Sequence, residues 1–182
     1  MIIAIAGKQG SGKTSLARAL AEMTFDAHIL KFADPMYDIH DVVNTVYNHY
    51  GIPTPQKDGD LLQWIGTEHG RGKDENIWVN IMQTRLLESL GRNVPVVIDD
   101  LRFENEFVML EEMGALLIRL DCSEDIRRER TEGWRDNTTH PSEVGLDNYA
   151  RAGKFDMYLG MEDDFEGCVS QVIHEMSNKF DH

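Results

Sequence analysis

Eight residues near the start of the chain, Gly7-Lys8-Gln9-Gly10-Ser11-Gly12-Lys13-Thr14, have the types and spacing to hold a phosphate. They fit G-x-x-x-x-G-K-[ST], the P-loop, whose glycines let consecutive backbone N–H groups converge on phosphate oxygens. In that pattern Gly7, Gly10, Ser11, Gly12, Thr14 and Ser15 surround a nucleoside triphosphate, ATP in this reading. Lys13 reaches the β- and γ-oxygens, and the Thr14 hydroxyl suits Mg²⁺. A second candidate is the acidic pair that closes Val96-Val97-Ile98-Asp99-Asp100. A carboxylate there, Asp100 for preference, is placed to hold the ion or its waters. The third is a cluster of arginines, Arg127, Arg128, Arg130 and Arg135. Guanidinium forks meet charge spread over phosphoryl oxygens well, although Glu124 and Arg128 at i,i+4 also make an ordinary helix-surface pair. Arg127 and Arg130, three apart, share a helix face.

These groups need elements to aim them. Met1 to Ala6 is an Ile-rich run of the kind found in buried parallel strands, and Thr14 to Met23 is rich in helix formers. Strand, glycine loop and helix together point N–H groups at an anion. Ala27 to Phe32 reads as a second strand. Pro35 opens a helix carrying Met36, Ile39, Val43, Val46 and Tyr50 and stopping at Gly51. Helices over 60–69 and 76–90 follow, separated by Gly70-Arg71-Gly72-Lys73. Strands are expected from Pro95 to the acidic pair Asp99-Asp100, at 115–120 and at 155–159. Further helices run from Phe103 to Gly114, from the cap Ser123, and through Phe165, Val169, Val172 and Met176, while Gly133 to Ser142 reads as loop. Alternating strands and helices predict an α/β fold, a three-layer αβα sandwich on a parallel five-stranded sheet. Ligands in such sheets bind beyond the carboxyl ends of the strands. That edge gathers the P-loop, Asp34, Asp99-Asp100 and the segment after Leu120.

The totals narrow the classes. A length of 182 residues suits one domain, and a net charge of −14 argues against a nucleic-acid polymer as partner. The apolar runs are too short to span a membrane, and the first residues lack the basic region of a signal peptide. Cys122 and Cys168 have no zinc or redox spacing, so a reducing, cytoplasmic setting is expected. Asn178-Lys179-Phe180-Asp181 and Asp164-Phe165-Glu166-Gly167 match GTPase signatures by composition. Both sit on or beside the final amphipathic helix, so a GTPase switch is rejected.

Several further pieces carry a resemblance. Phe32-Ala33-Asp34-Pro35 follows the second strand. Leu61-Leu62-Gln63-Trp64-Ile65-Gly66-Thr67-Glu68-His69-Gly70-Arg71 comes next, with Trp78 downstream. Asp100-Leu101-Arg102-Phe103-Glu104-Asn105-Glu106, the arginine-bearing helix and His140-Pro141-Ser142-Glu143 complete the set. In order and spacing the chain resembles the bacteriophage-type deoxynucleoside monophosphate kinases of the P-loop kinase superfamily over roughly residues 1–160. Gly160-Met161-Glu162-Asp163-Asp164 departs from that pattern.

The resemblance implies one kinase domain: a core of 1–35, 94–126 and 145–182, a helical acceptor-binding region 36–93 and a lid 127–144. It implies transfer of the ATP γ-phosphoryl group, with Mg²⁺, to a deoxynucleoside monophosphate. A nucleotide phosphate, with its second pKa at about 6, is already anionic at neutral pH and needs no general base. Lys13, Arg102, Arg127 and Arg130 would be catalytic, and Arg71 and Arg102 would grip the acceptor phosphate. Asp34 would lie by the sugar or the metal, and Trp64, Thr67, Glu68 and Trp78 would line the base pocket. The plain alternatives are tryptophans in the core, Glu68 as a surface partner for Arg71, and Arg102 paired with Asp99 or Glu106. Asn105 and Glu106 read as packing residues, and His140 to Glu143 has no assigned role. The resemblance also suggests a homodimer, and host cytoplasm if the chain is phage-encoded. Two alternatives stand beside this reading. One is a P-loop kinase for dephospho-coenzyme A, phosphomevalonate or a small alcohol, with Asp34 as the one candidate base. The other is a nucleotide-binding switch without efficient turnover.

Overall fold

The computed structural model describes the whole chain except residues 25–26, 133, 135–139, 161–163 and 181–182. Five strands, β1 (Ile2–Gly7), β2 (His28–Leu30), β3 (Val96–Leu101), β4 (Leu116–Asp121) and β5 (Met157–Gly160), form one sheet in the order β2-β3-β1-β4-β5. Every pairing is parallel. β1 sits at the centre and is buried along its whole length, which explains why its sequence is a continuous apolar run rather than an alternating one.

The alternation reappears in what each side chain meets. Ile2, Ala4 and Ala6 pack on one side with Val79, Met82 and Leu86 of α4 (Ile77–Gly91) and with Phe107 and Leu110 of α5 (Glu104–Glu112). Ile3 and Ile5 pack on the other with Leu16 and Leu20 of α1 (Lys13–Met23) and Val169 and Val172 of α9 (Phe165–Phe180). Successive strand residues point to opposite faces, so one short strand feeds two cores. The result is the expected three-layer sandwich on a parallel five-stranded sheet.

Three local departures from the expected elements bear on the site. First, β3 runs through Asp99 and Asp100 to Leu101, one residue past the acidic pair expected to end it. Its register against β1 slips there, Ala4 facing Ile98 but Ala6 facing Leu101, which places an extra β3 residue in a bulge at the acidic pair. Second, the helix expected over 60–69 is α3 (Gly59–Trp64) passing directly into a π-helical segment, Ile65–Arg71. Gly66 and Gly70 are buried in it because Trp78 lies against them. A Cβ at Gly70 would stand 2.5 Å from the indole, and the indole N–H donates to the Gly66 carbonyl at 3.0 Å. Third, two short helices, α7 (Pro141–Val144) and α8 (Asp147–Arg151), precede β5. The remaining helices are α2 (Asp34–His49) and α6 (Glu124–Glu129).

The GTPase-like motifs near the end are structural. Lys179 donates to the Ala115 carbonyl and the Asp156 carboxylate, both at 2.9 Å, and Asp164 accepts the Gly167 amide. Among the described residues, no helix is long and apolar enough to cross a membrane.

Phe107 is fully buried and touches the rings of Tyr149 and Phe155. Phe107→Ala is expected to lower the unfolding free energy by about 3–5 kcal/mol, the usual cost of emptying such a site. Urea denaturation followed by circular dichroism measures it; a loss under about 1 kcal/mol would mean that the ring is not part of the core as described.

Candidate active site

The P-loop joins β1 to α1, and its turn requires left-handed backbone at Gly10 (φ 77°) and Gly12 (φ 93°), where glycine costs least. Gly12 precedes the first residue of α1, so the helix N-terminus opens onto the loop. A cavity of about 390 Å³ here is lined by Gly10, Gly12, Lys13, Thr14, Ser15 and Arg130. Beside it lies a cleft of about 530 Å³ bordered by Lys8, Ser11, Arg119, Asp121, Cys122 and Arg127.

The polar atoms lining this space fit a triphosphate with a divalent ion. The Ser11 hydroxyl and Asp99 Oδ1 are buried with no partner among the described residues, a costly arrangement unless something else satisfies them. Lys13 Nζ donates to the carbonyls of Gly7 at 2.7 Å and Lys8 at 2.8 Å, bridging its own loop. Burial pulls its ammonium down to about 8. The Arg102 guanidinium adds to that, while Glu143 and Asp99 oppose it.

The acidic pair divides its work. Asp99, fully buried, accepts the Thr14 hydroxyl at 2.8 Å and pairs with Lys31 at 3.2 Å through the same Oδ2. Asp100 accepts the backbone amides of Phe32 and Ala33, each at 3.0 Å. Asp100, expected to hold the ion, has both oxygens taken by these amides, whereas Asp99 reaches Thr14 and keeps Oδ1 without a partner among the described residues. Asp100 instead pins the turn into α2, and burial pushes its carboxyl up to about 6.

The acceptor candidates gather beyond β3. Arg102 NH1 donates to Glu143 Oε1 at 2.9 Å and to the Ser142 carbonyl at 3.2 Å, not to Asp99. Arg71 is held by Glu106 at 2.9 Å, not by Glu68, and lies 4.0 Å over the Phe103 ring. Glu106 also accepts the amides of Arg102 and Phe103. Burial first, and then Asp100, push its carboxyl up to about 7. Asp34 accepts from Arg85 and from the Lys31 amide, both at 2.9 Å, which ties α2 to α4.

The base-pocket candidates separate. Trp64 is half exposed and stacks on His69, with ring centroids 4.8 Å apart. Thr67 donates to Glu68 on the exposed side of the same segment, and that bond holds the Glu68 carboxyl below its usual range. Trp78 does not belong with them: it is buried, its N–H is spent on Gly66, and it supports the π-helical segment from within.

The arginine cluster separates too. Arg127 is buried and donates to the carbonyls of Cys122 and Gln9, both at 3.1 Å, fastening α6 to the P-loop. Arg130 faces the phosphate cavity. Arg128 makes the ordinary surface pair with Glu124 at 3.5 Å. Arg135 lies outside the described residues. Lys31 and Arg85, which sequence reasoning did not single out, and Glu143, which it quoted without a role, hold the ones it did.

A family model described as an AAA domain, AAA_18, matches residues 3–148. The chain belongs to that family. Across its full length this AAA domain resembles a protein of Acanthamoeba polyphaga mimivirus named "Putative deoxynucleotide monophosphate kinase", 28% identical and covering 98% of this chain and 97% of the viral one. Among solved structures, TT1252 from Thermus thermophilus aligns with TM-score 0.63 at 14% identity over 99% of this chain and 97% of its own. Shikimate kinase from Aquifex aeolicus aligns with TM-score 0.54 at 15% identity, over 98% and 97%. The fold is that of the P-loop kinases.

Because Lys13 is charged below about pH 8 and neutral above it, a bound polyanion should draw a proton back onto it. Calorimetric titration with ATP at pH 8 in buffers of different ionisation enthalpy is expected to show uptake of roughly half a proton, absent in Lys13→Met. Affinity should fall as pH rises from 8 to 9. Flat affinity with no proton uptake would show that this ammonium does not titrate there.

Proposed function

We propose that the protein transfers the γ-phosphoryl group of ATP to a nucleoside monophosphate, a deoxynucleotide for preference, and gives the diphosphate. The observation that carries this reading is a pair of facing grips. The P-loop and Lys13 form one. Arg102, close enough to lower the Lys13 pKa, forms the other, with Arg71 anchored beside it through Glu106. Two guanidiniums held by buried carboxylates suit an anionic acceptor better than a neutral alcohol. The viral relative's name points the same way.

Each residue's part follows from its surroundings. The loop amides and the Ser11 hydroxyl would bind the donor phosphates, and Lys13 would follow the moving phosphoryl group. Arg130, lining the phosphate cavity, would meet charge on the transferred oxygens. Arg127, fixed to Gln9, would set the position of α6 rather than swing. Magnesium, when bound, supplies charge neutralisation between donor oxygens, and Thr14 and Asp99 would hold it or its waters. Arg102 and Arg71 would orient the acceptor phosphate, whose own charge makes a base unnecessary. Asp34, engaged by Arg85 and the Lys31 amide, would brace the acceptor side. Trp64, Thr67 and Glu68 present the exposed surface on which a base would rest.

A coupled ADP-release assay against deoxynucleoside and ribonucleoside monophosphates, dephospho-coenzyme A, phosphomevalonate and small alcohols tests the reading. Deoxynucleoside monophosphates are expected to stimulate ADP formation most; stimulation by an alcohol alone would sink the proposal. Lys13→Ala should lower kcat by about 10²-fold or more. Arg102→Ala should raise acceptor KM and leave ATP affinity intact by titration. Loss of ATP binding with unchanged acceptor KM would refute the role given to Arg102.

A further inference from the structure

Glu143 is a buried carboxylate to which the proposed reaction gives no part beyond holding Arg102. Its two oxygens go to different halves of the site. Oε2 accepts the backbone amide of Gln9, inside the P-loop, at 2.8 Å. Oε1 accepts Arg102 NH1 at 2.9 Å. The residue is 6% exposed, so both bonds are made in a poorly solvated setting where charge-assisted hydrogen bonds are strong and a missing partner is costly.

The surrounding chain is shaped to deliver that carboxylate. Pro141 opens α7, and His140 accepts the Ser142 amide at its start. Gly145, just past the helix, lies so close to β3 that a Cβ there would stand 2.7 Å from the Arg102 carbonyl oxygen. The glycine lets α7 press against the backbone of the residue whose side chain Glu143 grips. A guanidinium has five N–H donors in a fixed fork. Among the described residues only NH1 of Arg102 is used in side-chain hydrogen bonds. Holding that one nitrogen leaves Nε and NH2 for a ligand.

We propose that Glu143 is a positioning residue which, through one carboxylate, sets the P-loop backbone at Gln9 and the Arg102 guanidinium at a fixed separation. The inference rests on the proposed kinase reading for its acceptor half; its donor half stands on ATP binding alone. In-line transfer depends on the distance between the groups that hold donor and acceptor, and an error of about 1 Å costs on the order of 10²-fold. A rigid two-ended clamp between them is a direct way to hold that distance.

The test uses Glu143→Ala, the isosteric Glu143→Gln, and each combined with Arg102→Ala. Glu143→Ala is expected to weaken ATP binding about tenfold, raise acceptor KM and lower kcat by about 10²-fold. Glu143→Gln keeps an oxygen for the Gln9 amide but loses the charge facing Arg102. It should therefore restore ATP affinity while acceptor KM stays high, a split that a merely structural role would not produce. In the Arg102→Ala background, Glu143→Ala should still weaken ATP binding yet raise acceptor KM no further. Unchanged ATP affinity in Glu143→Ala, or acceptor effects that simply add to those of Arg102→Ala, would overturn the proposal. If Glu143→Ala fails to fold, the Glu143→Gln split decides alone. If the wild-type protein turns over no acceptor, the kinase reading falls, and the ATP titrations still decide whether Glu143 sets the loop.

Discussion

A loop that must aim its N–H groups at an anion can spend few of them on itself, here the Ser11 amide on the Lys8 carbonyl at 3.2 Å, so most of its shape has to be imposed from outside. Here the imposition centres on one residue, Gln9. The Gln9 N–H is taken by Glu143 and the Gln9 carbonyl by Arg127, while Lys13 bonds the carbonyls of Gly7 and Lys8. Gly10 must stay bare because α6 ends against it; a Cβ would stand 2.7 Å from the Arg127 carbonyl oxygen. The central strand, the lid-side helix and the α7 turn are thereby referred to the same few backbone atoms. Movement of any of them would be felt at the phosphate site.

The sheet supplies the second constraint. A parallel strand ending in two adjacent carboxylates would send them to opposite faces. The bulge in β3 adds one residue at that point and fits each to its own partner. Asp99 meets α1 at Thr14, and Asp100 meets the turn leading to α2. One acid is thus committed to α1 and the other to the turn that opens α2. Buried carboxylates recur beyond β3 because Glu106 repeats the device, holding Arg71 with one oxygen and two β3-end amides with the other.

How much of this was legible in the sequence follows from the range of each interaction. The P-loop, the strand–helix alternation and the two-sided core depend on local pattern, and β1, α1, α5 and α9 emerge close to their expected bounds. The choice between Asp99 and Asp100 turned on their distant partners, Thr14 for one and the Phe32 and Ala33 amides for the other, which no local pattern encodes. The fate of Trp78 was set twelve and eight residues earlier, by the Gly66 carbonyl that takes its N–H and by Gly70, which leaves room for the ring. The partners of Arg71, Arg102 and Asp34 lie 35, 41 and 51 residues away. The arginines themselves could be picked out by type; the carboxylates that orient them could not, because acids are common in so acidic a chain and only folding selects among them.

The placement of the tryptophans has an optical consequence. The chain has three, and each sits in a different part of the molecule. Trp78 is enclosed in the core behind the π-helical segment, Trp64 lies half exposed on that segment against an imidazole, and Trp134 lies near the guanidiniums of Arg127 and Arg128. An indole's emission shifts with solvent contact and is quenched by nearby charge. The protein therefore carries distinct native chromophores for its core, its π-helical surface and the arginines of α6, and no dye needs to be attached to observe them separately.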